Sequence, residues 1–449
     1  MSQSIARLAR AGRTQPLVAL LVIIATLQLG IFLFYFSLSI HPLPRWDYYD
    51  WVVGYLNTDS YGQWLWTLHN EHRVVTSKLL VSADVALFNG RLYPVAISVL
   101  LLFILASVAL CRSVLQDLDA SSGQKLAVLS VVTVILFPTF ALDNFAYPSN
   151  MPLTLAAVFF VLAISAFLKG SNSPKSRESI FWYWVSMAAA VCCSLSSLNG
   201  LLVWFVLVWM AWRLSRFTLS SLLPILSIGA LLIGGYVMNS SGVFSDQLEL
   251  GSWSRLQQLL DYLIAFYGMP WVSVPMMGVT GIVIGAVMVV SLGAGVVFKG
   301  LLSKRISYVE MLGVALLMFS GGTAVMIAIA RESQFALPAH RYTIFVLMAH
   351  AGLLLMFLPA VLRILSSYAT RRSMLIIVGV LGATIIVQQI LIGQFAASRA
   401  QHFAQLRDEI LAGNDASEIS RQLYPNRKQF KARLNILKEH KLYIYREEQ

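Results

Sequence analysis

Residues 45–73 read RWDYYDWVVGYLNTDSYGQWLWTLHNEHR and follow an apolar run from Leu17 to Ile40. This segment, named the first loop here, places acids, histidines and arginines among many tryptophans and tyrosines. Only 12% of the whole chain is charged, so the concentration beside an apolar run stands out. Ionisable side chains gathered at one membrane face indicate a functional site rather than a solvated surface. The first loop therefore predicts a membrane protein with its chemistry at one membrane face.

The composition determines the class of protein. Hydrophobic residues make up 58% of the chain and the mean hydropathy is +0.72. The charged fraction of 12% is about half of the roughly 25% that is usual in soluble domains. A soluble globule has no interior large enough to bury so much apolar surface. We predict an all-α, polytopic helical membrane protein.

Apolar runs long enough to cross a bilayer predict about eleven transmembrane helices. The short fifth and sixth runs are joined at Asn199-Gly200, which leaves open whether this part crosses the membrane twice. The predicted spans are 17–40, 92–111, 126–142, 151–168, 181–198, 200–214, 220–238, 271–298, 308–330, 342–362 and 373–396.

Basic residues fall mainly in alternate loops, beginning with three arginines before the first span. By the positive-inside rule, these loops are cytoplasmic. The net charge of +12 is then a topology signal, and it does not require a nucleic-acid partner. With eleven spans, we expect a cytoplasmic N-terminus and a periplasmic C-terminus in a bacterial inner membrane. The first span lacks a small-residue cleavage site, so we expect an uncleaved anchor.

The chain divides into a predicted membrane domain over 1–396 and a polar tail over 397–449. Apolar residues at helical spacing predict two short amphipathic helices in the tail, separated by Pro425, which lie on the outer membrane face or against the catalytic loops. Two further segments, 74–89 and 257–267, are too polar to span and are expected to be interfacial or re-entrant helices. These pieces build up the side opposite the cytoplasm.

The candidate catalytic residues are Asp47 and Asp50, which follow the first span directly. A carboxylate partly removed from water can accept a proton from a hydroxyl nucleophile, which is worth roughly 100- to 10,000-fold in rate. The sequence does not decide which of the two acids acts as the base. An ordinary aromatic belt with solvated acids is the alternative interpretation.

Cationic residues supply a candidate phosphate site. The loop between the ninth and tenth spans contains Arg331, His340 and Arg341, and the first loop ends in Arg73. A planar guanidinium matches phosphate oxygens in two-point geometry. His69, Glu71 and His72 lie so close in sequence that a divalent cation, Mg²⁺ or Mn²⁺, is left open as a cofactor, although sequence neighbours rarely converge on one ion.

Other side chains are candidates for binding a sugar or an acceptor. Aromatic faces can stack on sugar rings, and amide or hydroxyl groups can hydrogen-bond sugar hydroxyls. The candidates of this kind are Trp46, Tyr48, Glu71, His72, Asn144 and Tyr147.

The pattern resembles the GT-C superfamily of integral membrane glycosyltransferases. Arg45-Trp46-Asp47-Tyr48-Tyr49-Asp50 occupies the position of the acidic motif in their first outer loop, and Arg341-Tyr342 looks like an arginine-tyrosine pair of several bacterial relatives. The resemblance extends over roughly residues 1–396. It implies a GT-C-like fold with interfacial helices in the first periplasmic loop.

The resemblance implies an inverting transferase with a polyprenyl-phosphate-sugar donor, with membrane lipids around it and no nucleic acid. Bacterial members modify pilins with arabinose, or modify O-antigen or lipid A, so the acceptor would be a glycan, a lipid or a pilin-like protein. An O-antigen polymerase or ligase, and a non-enzymatic transporter or flippase of lipid-linked glycans, remain as alternatives. No Walker-type phosphate loop supports an ATP-driven pump.

Overall fold

The computed structural model describes residues 2–41, 43–70, 72–171, 176–214, 219–238, 253–272, 278–331, 338–368, 372–413, 423–424 and 426–446. These residues form a helical bundle, and the described part has no β-strand beyond an isolated bridge between His69 and His72. The predicted all-α class is confirmed.

Some of the links between α-helices that the structure describes are 3-10 helical. A π-helical stretch, Gly295–Leu302, continues α13. In chain order the helices are α1 Ser2–Ser39, α2 Asp47–Leu56, α3 Tyr61–Trp66, α4 Val75–Phe88, α5 Tyr93–Asp117, α6 Ser122–Leu136, α7 Asp143–Ala146, α8 Met151–Ser171, α9 Arg177–Ser194, α10 Leu202–Arg213, α11 Leu219–Val237, α12 Trp253–Val272, α13 Gly278–Ala294, α14 Tyr308–Arg331, α15 Thr343–Tyr368, α16 Arg372–Leu411 and α17 Arg427–Glu439.

Seven helices of the described chain are long and apolar enough to cross a membrane, or eight if one bent pair is a single span. The chain is thus a multi-pass membrane protein, but the count of eleven is not confirmed. The fifth predicted span corresponds to α9, which begins with the charged residues Arg177 and Glu178. The sixth became α10, whose 12 residues reach only about 18 Å. The seventh became α11, which is apolar but also short.

The bent pair consists of α6 and the continuation Thr139–Ala146, inclined by 45°. A break inside a membrane must satisfy the freed backbone groups within the protein. Two glutamines from other helices form hydrogen bonds with the backbone groups at the bend. Gln28 Nε2 donates to the carbonyl of Val134 at 2.6 Å, and Gln389 Oε1 accepts from the backbone N–H of Thr139. The bend is therefore part of the packed structure.

Helix α16 continues past the predicted domain boundary at residue 396. Its 40 residues span about 60 Å, twice the roughly 30 Å hydrocarbon core of a bilayer. Ala396, Ala400 and Phe403 are buried along the extension, so it packs against the protein. It runs beside α1, and a Cβ added at Gly393 of α16 would overlap the Tyr35 ring of α1. Small residues permit such close helix packing.

The first loop folds into α2, α3 and the start of α4. Helix α4 covers the segment predicted as interfacial, and it is not among the membrane-spanning candidates. Its two charges are bonded inside the protein. Lys78 Nζ donates to the carbonyls of Trp64 and Thr67 at 2.6 and 2.7 Å, which caps the end of α3. The segment 257–267 lies within the longer helix α12.

Candidate functional site

A cavity of about 230 Å³ lies at one end of the bundle. It forms where α1 ends, where α8 and α15 begin, and where the extension of α16 passes. The first loop contributes Arg45, Trp46 and Asp47 to its wall. The other lining residues are Asp143, Tyr147, Ser149, Asn150, Tyr262, Ala339, His340, Arg341, Tyr342 and Arg399.

Asp47 is the first residue of α2, and the backbone just before it is strained. Trp46 has φ 50° and ψ −126°, which is outside the helical and extended regions. A non-glycine residue in such a region costs about 1–3 kcal/mol and persists only where its surroundings fix it. The Trp46 N–H donates to the carbonyl of Leu423 at 2.8 Å, so the C-terminal segment provides part of that restraint.

A histidine supports the Asp47 carboxylate. His69 Nε2 lies 3.3 Å from Asp47 Oδ2, and the Asp47 side chain keeps 38% exposure toward the cavity. Burial alone raises the pKa of Asp47, but the His69 ring and the charges of Arg341 and His72 outweigh burial and lower the pKa overall. Asp47 is therefore a carboxylate at neutral pH, as a proton acceptor must be.

Three guanidiniums face the same cavity, and two of them have no ion pair among the described residues. The Arg45 guanidinium lies over the rings of Tyr147 and Phe403, 4.6 and 4.4 Å from their centroids. Its Nε is buried without a hydrogen-bond partner. The Arg341 guanidinium bonds its chain neighbour, since Nη2 donates to Tyr342 Oη at 3.3 Å. Partly buried positive charge without an ion-pair partner favours an anionic ligand.

The third guanidinium is paired. Arg399 donates to the carboxylate of Asp143, and it lies 5.1 Å from the Tyr147 ring centroid. Arg45 contacts the same ring, so Tyr147 lies beside two cations. Counting Asp47 and Asp143 against the three arginines, the cavity carries a net positive charge of one.

Asp50 lies one helical turn after Asp47 but is not among the residues lining the cavity. Its carboxylate accepts from Arg433 Nε at 2.7 Å, again from Arg433 Nη2, and from Tyr424 Oη at 3.0 Å. Both donors belong to the C-terminal segment. The two candidate acids therefore have different surroundings, which the sequence did not resolve.

The structure places several other candidates away from the cavity wall. Arg73 donates to the carbonyls of Trp66 and Gly235 at 2.6 and 3.3 Å, and so ties the first loop to α11. Tyr48 is fully buried, and its hydroxyl donates to Asp84 at 3.2 Å. These two side chains hold the fold together in this arrangement.

Two further candidates adjoin the site without lining it. His72 Nδ1 accepts from the backbone N–H of Leu198 at 3.3 Å, and the His72 charge acts on Asp47. Asn144 is buried beside Asp143, and its Nδ2 donates to the carbonyl of Ala141 at 3.4 Å.

Two candidates lie partly or wholly outside the described residues. Glu71 is one, and the side chain of Arg331 is the other. Within the described chain, no three histidine, cysteine or acidic side chains are grouped as a metal site requires. The predicted cluster of His69, Glu71 and His72 includes Glu71, which lies outside the described residues, so metal binding by this cluster stays a prediction.

Three charged lining residues were not among the candidate site residues: Arg45, Asp143 and Arg399. Arg45 opens the acidic motif and Asp143 lies beside Asn144, so proximity in sequence was a usable signal for both. Arg399 gave no such signal, because it lies where the polar tail was expected to begin. Its role depends on the continuation of α16.

Comparison of the chain with protein-family models, with characterised proteins and with solved structures finds no match. The function is therefore argued from the residues of the cavity.

Proposed function

We propose that the chain is an inverting glycosyltransferase that moves a sugar from a polyprenyl-phosphate donor to a hydroxyl acceptor. The acceptor class is a glycan, a lipid or a pilin-like surface protein. The reaction takes place at the periplasmic face of a bacterial inner membrane. The observation that carries the proposal is one cavity in which an ionised Asp47 faces the guanidiniums of Arg45 and Arg341.

The charge distribution supports a phosphate as the group bound there. Arg45 and Arg341 have no ion pair among the described residues, and burial lowers the pKa of the Arg45 guanidinium. Even so, an arginine stays protonated in proteins. The phosphodiester of a polyprenyl-phosphate sugar is a monoanion, which would balance the net charge of one and accept a hydrogen bond from the buried Arg45 Nε. A lipid-linked donor also suits a cavity at the end of membrane-spanning helices.

Asp47 has the properties of a general base. Its pKa is lowered overall, so it is ionised before substrate arrives. The acceptor hydroxyl gives its proton to Asp47 while its oxygen forms a bond to the anomeric carbon. The bond from that carbon to the phosphate oxygen breaks on the opposite face, and the configuration at the carbon inverts. His69 Nε2 lies 3.3 Å from the Asp47 carboxylate.

The arginines act on the leaving group. Negative charge grows on the phosphate oxygen as the glycosidic bond breaks, and fixed guanidiniums stabilise that charge without reorganising. Arg341 and Arg45 have this role in the proposal, with His340 beside them. Trp46, 45% exposed at the cavity, offers a ring face for the sugar or the acceptor.

The test compares the cell-surface glycans, lipids and surface-protein masses of four strains. They carry the wild type, a deletion, Asp47→Asn, and Asp59→Asn as a matched control. Asp59 is an exposed acid of the same loop that does not line the cavity. We expect the deletion and Asp47→Asn to lack the same sugar-sized mass and Asp59→Asn to retain it.

The missing mass also identifies the sugar. Retention of that mass in Asp47→Asn, at expression equal to the wild type, would contradict the assignment of Asp47 as the base. It would favour transport of a lipid-linked glycan instead.

A further inference from the structure

The C-terminal segment, residues 423–424 and 426–446 as described, packs directly against the helix that carries Asp47. Hydrogen bonds at Trp46 and at Asp50 join them. The Leu423 carbonyl accepts from the Trp46 N–H at 2.8 Å. The Asp50 carboxylate receives donors from Tyr424 and Arg433. All of these contacts fall within the first turn of α2 or the residue before it.

Apolar packing surrounds the polar contacts. The fully buried Tyr49 ring meets the rings of Tyr424 and Phe430 edge to face, with centroids 6.2 and 5.6 Å apart. The Arg433 guanidinium lies over the Tyr424 ring at 4.4 Å. Aromatic pairs in this geometry are worth about 0.5–1.5 kcal/mol each beyond the area they bury. The segment is therefore anchored.

The same segment also packs against Tyr48 and against the turn that follows α4. The Tyr443 ring packs against the Tyr48 ring, with centroids 6.1 Å apart. It also covers Gly90, where φ is +65° and an added Cβ would lie 2.9 Å from the Tyr443 ring. Contacts at Tyr48, Tyr49 and Asp50 thus attach three consecutive residues of α2 to the C-terminal segment.

We propose that Asp50, Tyr424 and Arg433 form a positioning device, in which the C-terminal segment holds the first turn of α2 so that Asp47 faces the cavity. This inference rests on the proposed function, because it gives Asp47 the role of base. Asp50 is then the docking point of the segment rather than a second base. The strained backbone of Trp46 is the part that the device must hold in place.

Several features separate this ion pair from an ordinary surface pair. Exposed ion pairs contribute little, with a median of about 0–1 kcal/mol. Here the side chains of Arg433 and Asp50 are only 19% and 29% exposed. Two nitrogens of Arg433 and one hydroxyl converge on one carboxylate, which defines its orientation as well as its charge.

Misplacement of a catalytic group by about 1 Å can cost about 100-fold in rate. Loss of the device should therefore lower turnover while the phosphate site, built from Arg45 and Arg341, stays intact. A residue that acts only on global folding would lower both turnover and phosphate binding. The split between turnover and binding is the signature that separates positioning from a merely structural role.

The experiment uses the full chain with Asp50→Asn, Arg433→Gln, the double variant, and Lys428→Gln as a matched control. Lys428 is an exposed cation on the same helix α17. Turnover is the rate at which membranes add the sugar identified by the deletion strain. Binding is measured with undecaprenyl monophosphate and purified protein in detergent.

We expect Asp50→Asn and Arg433→Gln each to lower turnover about tenfold or more, with the dissociation constant for undecaprenyl monophosphate within about twofold of wild type. The double variant should lose no more than either single variant, because both remove one interaction. Lys428→Gln should behave as wild type.

Wild-type turnover in Arg433→Gln would overturn the inference, and so would losses that multiply in the double variant. Equal loss of binding and turnover would also overturn it, since that outcome indicates general unfolding. The Asp47→Asn variant keeps the two proposals distinguishable. If Asp47→Asn is active, the proposed function fails; if it is inactive while Arg433→Gln is normal, only the positioning device fails.

Discussion

Asp47 and Asp50 lie three residues apart on one helical turn, yet they have different partners. Asp47 contacts His69 and faces the cavity, whereas Asp50 is bound by Arg433 and Tyr424 of the C-terminal segment. Only one of the two carboxylates is therefore placed to meet a substrate. Asp47 is placed for the chemistry, and Asp50 anchors the first loop to the C-terminal segment.

The phosphate role predicted for Arg341 can be measured by binding. Replacing Arg341 with Gln removes a charge-assisted hydrogen bond, worth about 1.5–3 kcal/mol, and should weaken undecaprenyl monophosphate binding about 10- to 150-fold. Arg341→Lys should recover part of the loss, because it restores charge without the planar fork. Equilibrium binding to purified protein in detergent gives both values.

The control for Arg341 is Arg73→Gln, which removes a guanidinium bonded to two carbonyls away from the cavity. It should lower the thermal unfolding temperature and leave binding to the folded protein unchanged. If Arg73→Gln weakened binding as much as Arg341→Gln in fully folded protein, the assignment of the phosphate site would be wrong.

The role of His69 predicts a shift in pH dependence. Burial raises the pKa of Asp47, and the His69 contact is the first of the effects that lower it. With His69→Gln, the raising effect of burial is less opposed, so the folded-state pKa of Asp47 rises. Because the base must be deprotonated, the acidic limb of kcat/KM should move to higher pH.

The measurement is the pH profile of sugar transfer by membranes that contain wild type or His69→Gln. Activity at high pH should be reduced less than activity at low pH. An acidic limb at the same pH in both proteins would show that His69 does not act on the base.

The bend between α6 and α7 predicts a stability effect. Gln389→Leu leaves the buried N–H of Thr139 without its acceptor, which costs about 1–3 kcal/mol of unfolding free energy. The matched control is Val387→Leu on the same helix, where Val387 is 56% exposed. Thermal unfolding in detergent should show a lower transition temperature for Gln389→Leu alone. Equal transition temperatures would contradict the role given to Gln389.

Hydropathy predicted the long spans because an apolar run of bilayer length has few alternatives to a helix. The predicted spans are not confirmed at α10 and α11, which are apolar but shorter than the helices that qualify as crossing a membrane. The rule does not distinguish an apolar helix buried beside other helices from one that crosses the membrane, because both are apolar. The eleven-span count depended on that distinction.

For the site, the first loop and the segments before α8 and α15 were recognisable as polar sequence in an apolar chain. Their meeting in one cavity follows from the packing of the bundle, which one sequence does not reveal. The pairing of Asp50 with Arg433 joins residues 383 positions apart. Neither residue contains a local signal of that contact, so the sequence left open whether the C-terminal segment lies on the membrane face or against the first loop.

The most direct test of the central claim uses purified protein, a polyprenyl-phosphate donor that carries the sugar identified in cells, and its acceptor. The quantity measured is the release of polyprenyl phosphate with transfer of the sugar, in wild type and in Asp47→Asn. The account predicts release and transfer with inverted configuration by wild type, and none by Asp47→Asn even though that variant still binds undecaprenyl monophosphate. Transfer by Asp47→Asn at the wild-type rate would contradict it.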